Sequence, residues 1–217
     1  MLAEATRDLG GRVLRESRLP GQGEYIRVRD YRELQLQKMS NVEVFRESKM
    51  TAQDIHDVAA DHVVIATGAY WRKDRFDGER YVPVILEGSD IDILTPDDIM
   101  NEKMPNGPTL VYDEDGYYLG GVLAEKIKTA GHDVTYVTSA DVVSKWAENT
   151  SERWKIRSHL MKLGIAIELS KSLQSFDGTT AILACEYSGA QSELKAQTLV
   201  MVTQRKTNDA LYHAVIN

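Results

Sequence analysis

Apolar positions along this chain gather into short runs parted by glycines and charged turns, and the period of the runs changes from place to place. Residues 109–139 show it best. Leu110 and Val111 open a run that reads as a buried strand, and Leu123, Ile127 and Ala130 then recur at i, i+4, i+7, the spacing of one helix face. Gly120 and Gly121 stand at the entry to that helix, and Gly131 supplies the left-handed residue that ends it. Val134, Tyr136 and Val137 form the next strand. Strand, helix and strand at this length make a βαβ unit, and its right-handed crossover nucleates a parallel sheet.

The remaining pattern predicts an α/β protein. Residues 25–39 place Tyr31, Leu34 and Lys38 on one stripe of a surface helix, and residues 42–45 read as a short strand. Thr51 with Asp54, and Thr95 with Asp98 behind Pro96, are capping boxes that start two short helices. Val63, Val64, Ile65 and Ala66, closed by Gly68, predict a strand buried on both faces. Asn149 to Glu152 predict the cap of a helix with Ile156, Leu160 and Leu163 inward, stopped by Gly164. Residues 165–169 predict a strand, 180–187 and 193–197 a hairpin across Ser188, Gly189 and Ala190, and 198–203 a buried strand. The charge-dense connector 71–83 predicts a hinge between two lobes.

Composition narrows the function classes. With 217 residues and 42% hydrophobic positions the chain has material for one domain or two small ones. A net charge of −7 and a pI near 5.3 argue against nucleic acid and anionic membrane surfaces as partners. The single cysteine, Cys185, allows no internal disulfide and no cysteine-rich metal site, which fits a cytoplasmic location. No apolar run approaches the roughly 20 residues a membrane span needs, and the first residues lack the plan of a secretory signal. His56, His62, His132, His159 and His213 are scattered without metal-ligand spacing, so no metal site is expected.

The turn of the βαβ unit carries the sharpest chemical message. A dinucleotide-binding unit needs glycines there in a G-x-G-x-x-G pattern, so that backbone N–H groups reach a pyrophosphate at the helix N-terminus. This chain has Asp113, Glu114, Asp115, Gly116, Tyr117 and Tyr118 instead. Three carboxylates repel a diphosphate, and the two tyrosines are expected to fill its space. A solvated acidic turn is the plain alternative to a cation site, since adjacent carboxylates do not converge.

Taken in order, several segments resemble one family. They are Glu4-Ala5 with Leu9-Gly10-Gly11-Arg12, the run from His62 to Ala69, Leu94-Thr95-Pro96, Leu123 to Lys126 with Thr129 to Thr135, and Leu199 to Thr203. Together they are similar to the C-terminal dinucleotide-binding-like domains of the trimethylamine/dimethylamine/histamine dehydrogenase group, old-yellow-enzyme-like iron–sulfur flavoproteins. The resemblance covers essentially the whole chain and implies a fragment of a longer protein. Gln204 stands where relatives usually have glycine.

The resemblance implies two Rossmann-like (FAD/NAD(P)-binding-like) lobes, the first incomplete, each with a mainly parallel sheet plus an antiparallel hairpin. Residues 1–80 would form a partial FAD/ADP-binding-like lobe and 81–203 an NAD(P)-binding-like lobe with a degenerate phosphate turn. Residues 204–217 would return to the first lobe. The parent would oxidatively demethylate or deaminate an amine using FMN and a [4Fe–4S] cluster held elsewhere, and pass electrons to electron-transferring flavoprotein. The fragment itself is expected to be non-catalytic and to bind no cofactor, save ADP or another adenine nucleotide in the first lobe. Its partners would be the missing barrel portion of the parent and that flavoprotein, with homo-oligomerisation left open. The rival is a piece of an NAD(P)H-dependent flavin oxidoreductase of the dienoyl-CoA reductase type.

Five residues are candidates for binding. Glu4 resembles the acid that holds an adenosine ribose, or is a plain strand-end carboxylate. Arg12 meets a pyrophosphate or only solvent. Thr67 and Gly68 line a nucleotide site or mark close packing. Trp146, in a polar loop between Lys145 and Glu148, is a docking aromatic or packs beneath Trp154. Cys185 reads as core rather than nucleophile.

Overall fold

The computed structural model describes residues 1–73, 84–88 and 91–216. The chain is α/β and divides into two compact units, Met1–Tyr70 with Thr207–Asn217, and Trp71–Lys206. Of the expected hinge, residues 74–83 lie outside the described residues.

The second unit is built on a five-stranded parallel sheet in the order Asp92–Leu94, Thr198–Val202, Thr109–Asp113, Val134–Val137, Ala166–Glu168. The two central strands, Thr198–Val202 and Thr109–Asp113, are buried at every residue. Both faces are covered, which is why these strands read as continuous apolar runs rather than alternating ones. One face meets a four-stranded sheet ordered Gln191–Lys195, Thr180–Cys185, Lys171–Phe176, Ile85–Leu86. Leu110, Tyr112, Val137, Leu199 and Met201 pack there against Leu173, Phe176, Ala181 and Leu183. Helices Pro96–Met100 and Leu119–Thr129 contact the strands of the parallel sheet.

The βαβ unit forms as the spacing predicts, from strand Thr109–Asp113 through helix Leu119–Thr129 to strand Val134–Val137. Leu123 and Ile127 are fully buried, whereas Ala130 lies past the helix end and is exposed. Gly121 allows helix Arg153–Lys162 to pack close, because a Cβ there would lie 2.9 Å from Ile156 Cγ2. Both capping boxes are present, at Thr51/Asp54 and Thr95/Asp98. The third expected cap is not: helix Arg153–Lys162 starts after Glu152 without a side-chain cap. Thr150 instead donates to Ala147 O and to Glu152, which diverts those side chains into the preceding turn.

In the first unit Leu2–Ala3 pairs with Val44–Phe45 in parallel. Helix Ile26–Lys38 buries no residue, in keeping with a surface helix, and Arg29 and Arg46 converge on Glu33 beside it. The predicted strand over residues 63–68 does not form. That segment joins no ladder, and Val64 is 89% exposed. Apolar side chains make a buried strand only where neighbouring strands and a covering layer receive them, and among the described residues none is placed to do so.

Candidate functional site

The carboxyl ends of the parallel strands, where open α/β sheets bind ligands, are occupied by the protein's own groups. Asp113 closes strand Thr109–Asp113 and is completely buried. Its carboxyl group accepts from the hydroxyl of Tyr136 on the neighbouring strand, and from the backbone N–H groups of Asp115 (3.1 Å) and Gly116 (3.2 Å). The group lies directly over the start of helix Leu119–Thr129, since a methyl at Gly120 would sit 2.5 Å from Asp113 Oδ2. The positive end of a helix ordinarily receives an anion. Here the Asp113 carboxyl group packs against Gly120 in the first turn of the helix, while its backbone hydrogen bonds come from Asp115 and Gly116 in the turn before it.

The rest of the turn is tied down on both sides. Glu114 and Asp115 donate their N–H groups to Val202 O at 2.9 and 3.1 Å. The Glu114 carboxylate accepts from Ser139 N at 3.2 Å and Ser139 Oγ at 2.9 Å. The Asp115 carboxylate pairs with Arg205 at 3.3 Å, and the Arg205 guanidinium lies 4.9 Å over the ring of buried Trp71. Gly116, in the left-handed region at φ 67°, is covered by Trp146. Trp146 N donates to Gly116 O at 2.9 Å, and a methyl at Gly116 would lie 2.9 Å from Trp146 Cδ1.

Electrostatics follow from this burial. Desolvation pushes Asp113 up to about 7, against the bonds from Tyr136 and Gly116, and the nearby Asp115 charge adds to the rise. Desolvation and the Asp113 charge likewise hold the Tyr136 phenol well above its ordinary value. A carboxyl group poised near neutrality would suit proton transfer in an open cleft, but this one is sealed from solvent and serves the fold.

Two expectations about the turn are corrected. Asp113 is not part of a solvated acidic loop, because the strand carries it under the helix start. Tyr117 points to solvent at 46% exposure rather than filling the region, while Tyr118 is half-buried and Trp146 covers Gly116. Trp146 and Trp154 are 46% and 66% exposed, so neither is a core residue.

In the first unit Glu4 bonds locally, while Arg12, Thr67 and Gly68 bond to residues distant in the chain. The Glu4 carboxylate accepts from Thr6 N and Thr6 Oγ1, both at 2.9 Å. Arg12 Nη2 donates to Ala69 O at 2.9 Å, which brings its guanidinium to the Thr67–Gly68 segment. Thr67 bonds through its hydroxyl to Asn208 O, and Asn208 N donates to Gly68 O at 2.9 Å. Gly68 adopts φ 76° with open space where a side chain would stand. Arg12, Thr67 and Gly68 are thus neighbours, while Glu4 serves its own loop. Cys185 is half-buried, and bonds from Ser188 lower its thiol pKa. Among the described residues no group of three His, Cys, Asp or Glu is placed to hold a metal ion, and no helix is long and apolar enough to cross a membrane.

The fold and the turn define a class: a dinucleotide-binding-like α/β unit whose first turn, residues 113–116, is tied down by hydrogen bonds and an ion pair within the protein. Comparison with known proteins agrees and goes further. Residues 94–193 match the family described as OYE-like second alpha/beta domain. Over 97% of its length the chain is 30% identical to dimethylamine dehydrogenase of Hyphomicrobium sp. (strain x), covering 32% of that protein. The solved histamine dehydrogenase of Rhizobium sp. 4-9 superposes with a TM-score of 0.95 at 39% identity, over 99% of this chain and 33% of its own. The 6-hydroxypseudooxynicotine amine oxidase of Pseudomonas geniculata N1 gives 0.93 at 38%, over 99% and 32%. A 2-naphthoyl-CoA reductase shares the fold, at 0.78 and 20% identity. The chain corresponds to a fragment of the trimethylamine/dimethylamine/histamine dehydrogenase group, and spans about a third of the length of these relatives.

Proposed function

We propose that this chain is the nucleotide-binding-like portion of an FMN- and iron–sulfur-dependent amine dehydrogenase. In this reading the whole protein oxidatively demethylates or deaminates an amine and passes the electrons to electron-transferring flavoprotein in the cytoplasm. The observation that carries the reading is the match to histamine dehydrogenase at 39% identity across 99% of the chain, together with the closed turn at Asp113. An enzyme that delivers electrons to a flavoprotein has no use for NAD(P)H in this lobe, so its phosphate position is free to fill. The rival, a piece of an NAD(P)H-using reductase, requires that position open.

The redox groups belong to other parts of the parent. A [4Fe–4S] cluster takes four cysteine thiolates, and Cys185 is the sole cysteine of this chain. The residues present therefore do not fit a cluster. Among the described residues no base, nucleophile and oxyanion donors gather at one point either, and the reading takes the fragment by itself as non-catalytic. An adenine nucleotide, if this chain holds one, has its place at Arg12, Thr67 and Gly68, with Glu4 as the ribose acid. Its partners are the barrel portion of the parent and the flavoprotein, the latter docking at Trp146.

The test is the parent protein, expressed from the reading frame that contains this chain. The proposal expects flavin and iron–sulfur absorbance that bleaches on adding a secondary or primary amine, with NADH leaving both unchanged. Bleaching by NADH and none by amines would favour the reductase.

A further inference from the structure

Helix Arg153–Lys162 carries two apolar stripes where a surface helix needs one. Ile156 and Leu160 face inward, against Gly121 of the neighbouring helix. Trp154 and Met161, seven positions apart in the chain, stand on the outer side at 66% and 62% exposure. With Arg157, Ser158 and Lys162 they line a shallow hollow. Outward positions of a solvated helix normally mix acids and bases. This helix has Arg153, Lys155, Arg157 and Lys162 and no acid, in a chain whose net charge is −7.

The cations of the hollow are also unspent. Arg153 pairs with Glu148, and His159 with Glu125. Lys155 lies 5.7 Å over the Trp154 ring. Among the described residues no carboxylate pairs with Lys155, Arg157 or Lys162. We propose that this face docks an acidic segment of another protein, with leucine-like side chains seated between Trp154 and Met161 and carboxylates meeting Arg157 and Lys162. A large aromatic ringed by cations is the makeup of a docking hot spot, and the charge ring selects an acidic partner and speeds its encounter. The inference stands on the helix alone and does not depend on the dehydrogenase reading.

The test uses short labelled helical peptides and fluorescence anisotropy at low and high salt. One peptide carries leucines at i, i+4 spacing among glutamates; one replaces the glutamates with lysines, and one the leucines with serines. The acidic leucine peptide should bind, more weakly as salt rises. Trp154→Ala, and separately the pair Arg157→Glu with Lys162→Glu, should each weaken it about tenfold or more with the circular dichroism unchanged. Equal binding of the lysine or serine peptide would overturn the proposal. So would sedimentation showing a dimer that Met161→Glu dissolves, since a second copy would then own the face. Protection of Trp154 from solvent in the whole parent protein would count equally against it.

Discussion

The carboxyl group of Asp113 rests against the Cα of Gly120, so close that a methyl on Gly120 would lie 2.5 Å from Asp113 Oδ2. Glycine inside the first helical turn of a dinucleotide-binding unit lets the helix pack closely on the strand. Here the strand residue that comes up to it is Asp113. Gly120→Ala should therefore destabilise the chain by about 1–3 kcal/mol through overpacking. Urea unfolding of Gly120→Ala, Asp113→Ala and the double variant checks it. The double variant should be markedly more stable than the two separate losses added together, and strict additivity would deny the contact.

The same carboxyl group should leave a signature in the pH dependence of stability. In the folded chain it titrates at about 7, above the ordinary carboxylate range, chiefly because burial disfavours its charge. The folded state thus holds the proton more tightly than the unfolded state. This contribution to stability is fully present below the unfolded carboxylate pKa and is lost as the pH rises through about 7. Asp113→Asn removes the titration. Between about pH 5 and about pH 8, wild type should lose on the order of 2 kcal/mol relative to Asp113→Asn. Asp54 and Asp177, held below the ordinary range chiefly by bonds from Thr51 and Thr179, act at lower pH and cancel in the comparison. A difference that stays flat, or grows in favour of wild type as pH rises, would show that Asp113 is not raised.

Trp146 has a packing role and a proposed docking role, and the two can be separated. Its ring covers Gly116 yet remains 46% exposed. Trp146→Ala should cost about 1 kcal/mol of stability, well short of the 3–5 of a fully buried aromatic. As a docking anchor in the whole dehydrogenase it should cost about 2 kcal/mol of affinity for the flavoprotein, roughly thirtyfold. Thermal melts and binding measurements on one variant settle both. A large stability loss with normal affinity would make Trp146 a packing residue only.

Much of this architecture was legible in the sequence, and what was not has physical causes. The central strands and the βαβ helix announced themselves because burial on both faces leaves continuous apolar runs, and Thr51 and Thr95 marked helix starts by side-chain chemistry. Strand Lys171–Phe176 escaped the pattern because its inward residues Leu173 and Phe176 stand three apart across a register shift, among polar neighbours, so no alternation shows. Helix Ala210–Ile216 was missed as well, with no buried residue to set a period. Residues 63–66 show the opposite error, an apolar run with no ladder to enter.

The site was half legible. The loss of the glycine pattern was plain, and the closed turn follows from it. The means of closure was not, because Tyr136, Ser139, Trp146 and Arg205 reach the turn from other strands and loops. An acid at the end of an apolar run, as in Leu110-Val111-Tyr112-Asp113, was the one local hint that Asp113 goes under the helix.

Closure of the phosphate position is the central claim, and calorimetric titration of the folded chain with NADH and NADPH tests it most directly. With Asp113 over the helix start and Trp146 over Gly116, neither cofactor should give a binding heat up to millimolar concentration. Dissociation constants in the micromolar range or tighter, lost on substituting residues of the Asp113–Gly116 turn, would show the position open and contradict the account.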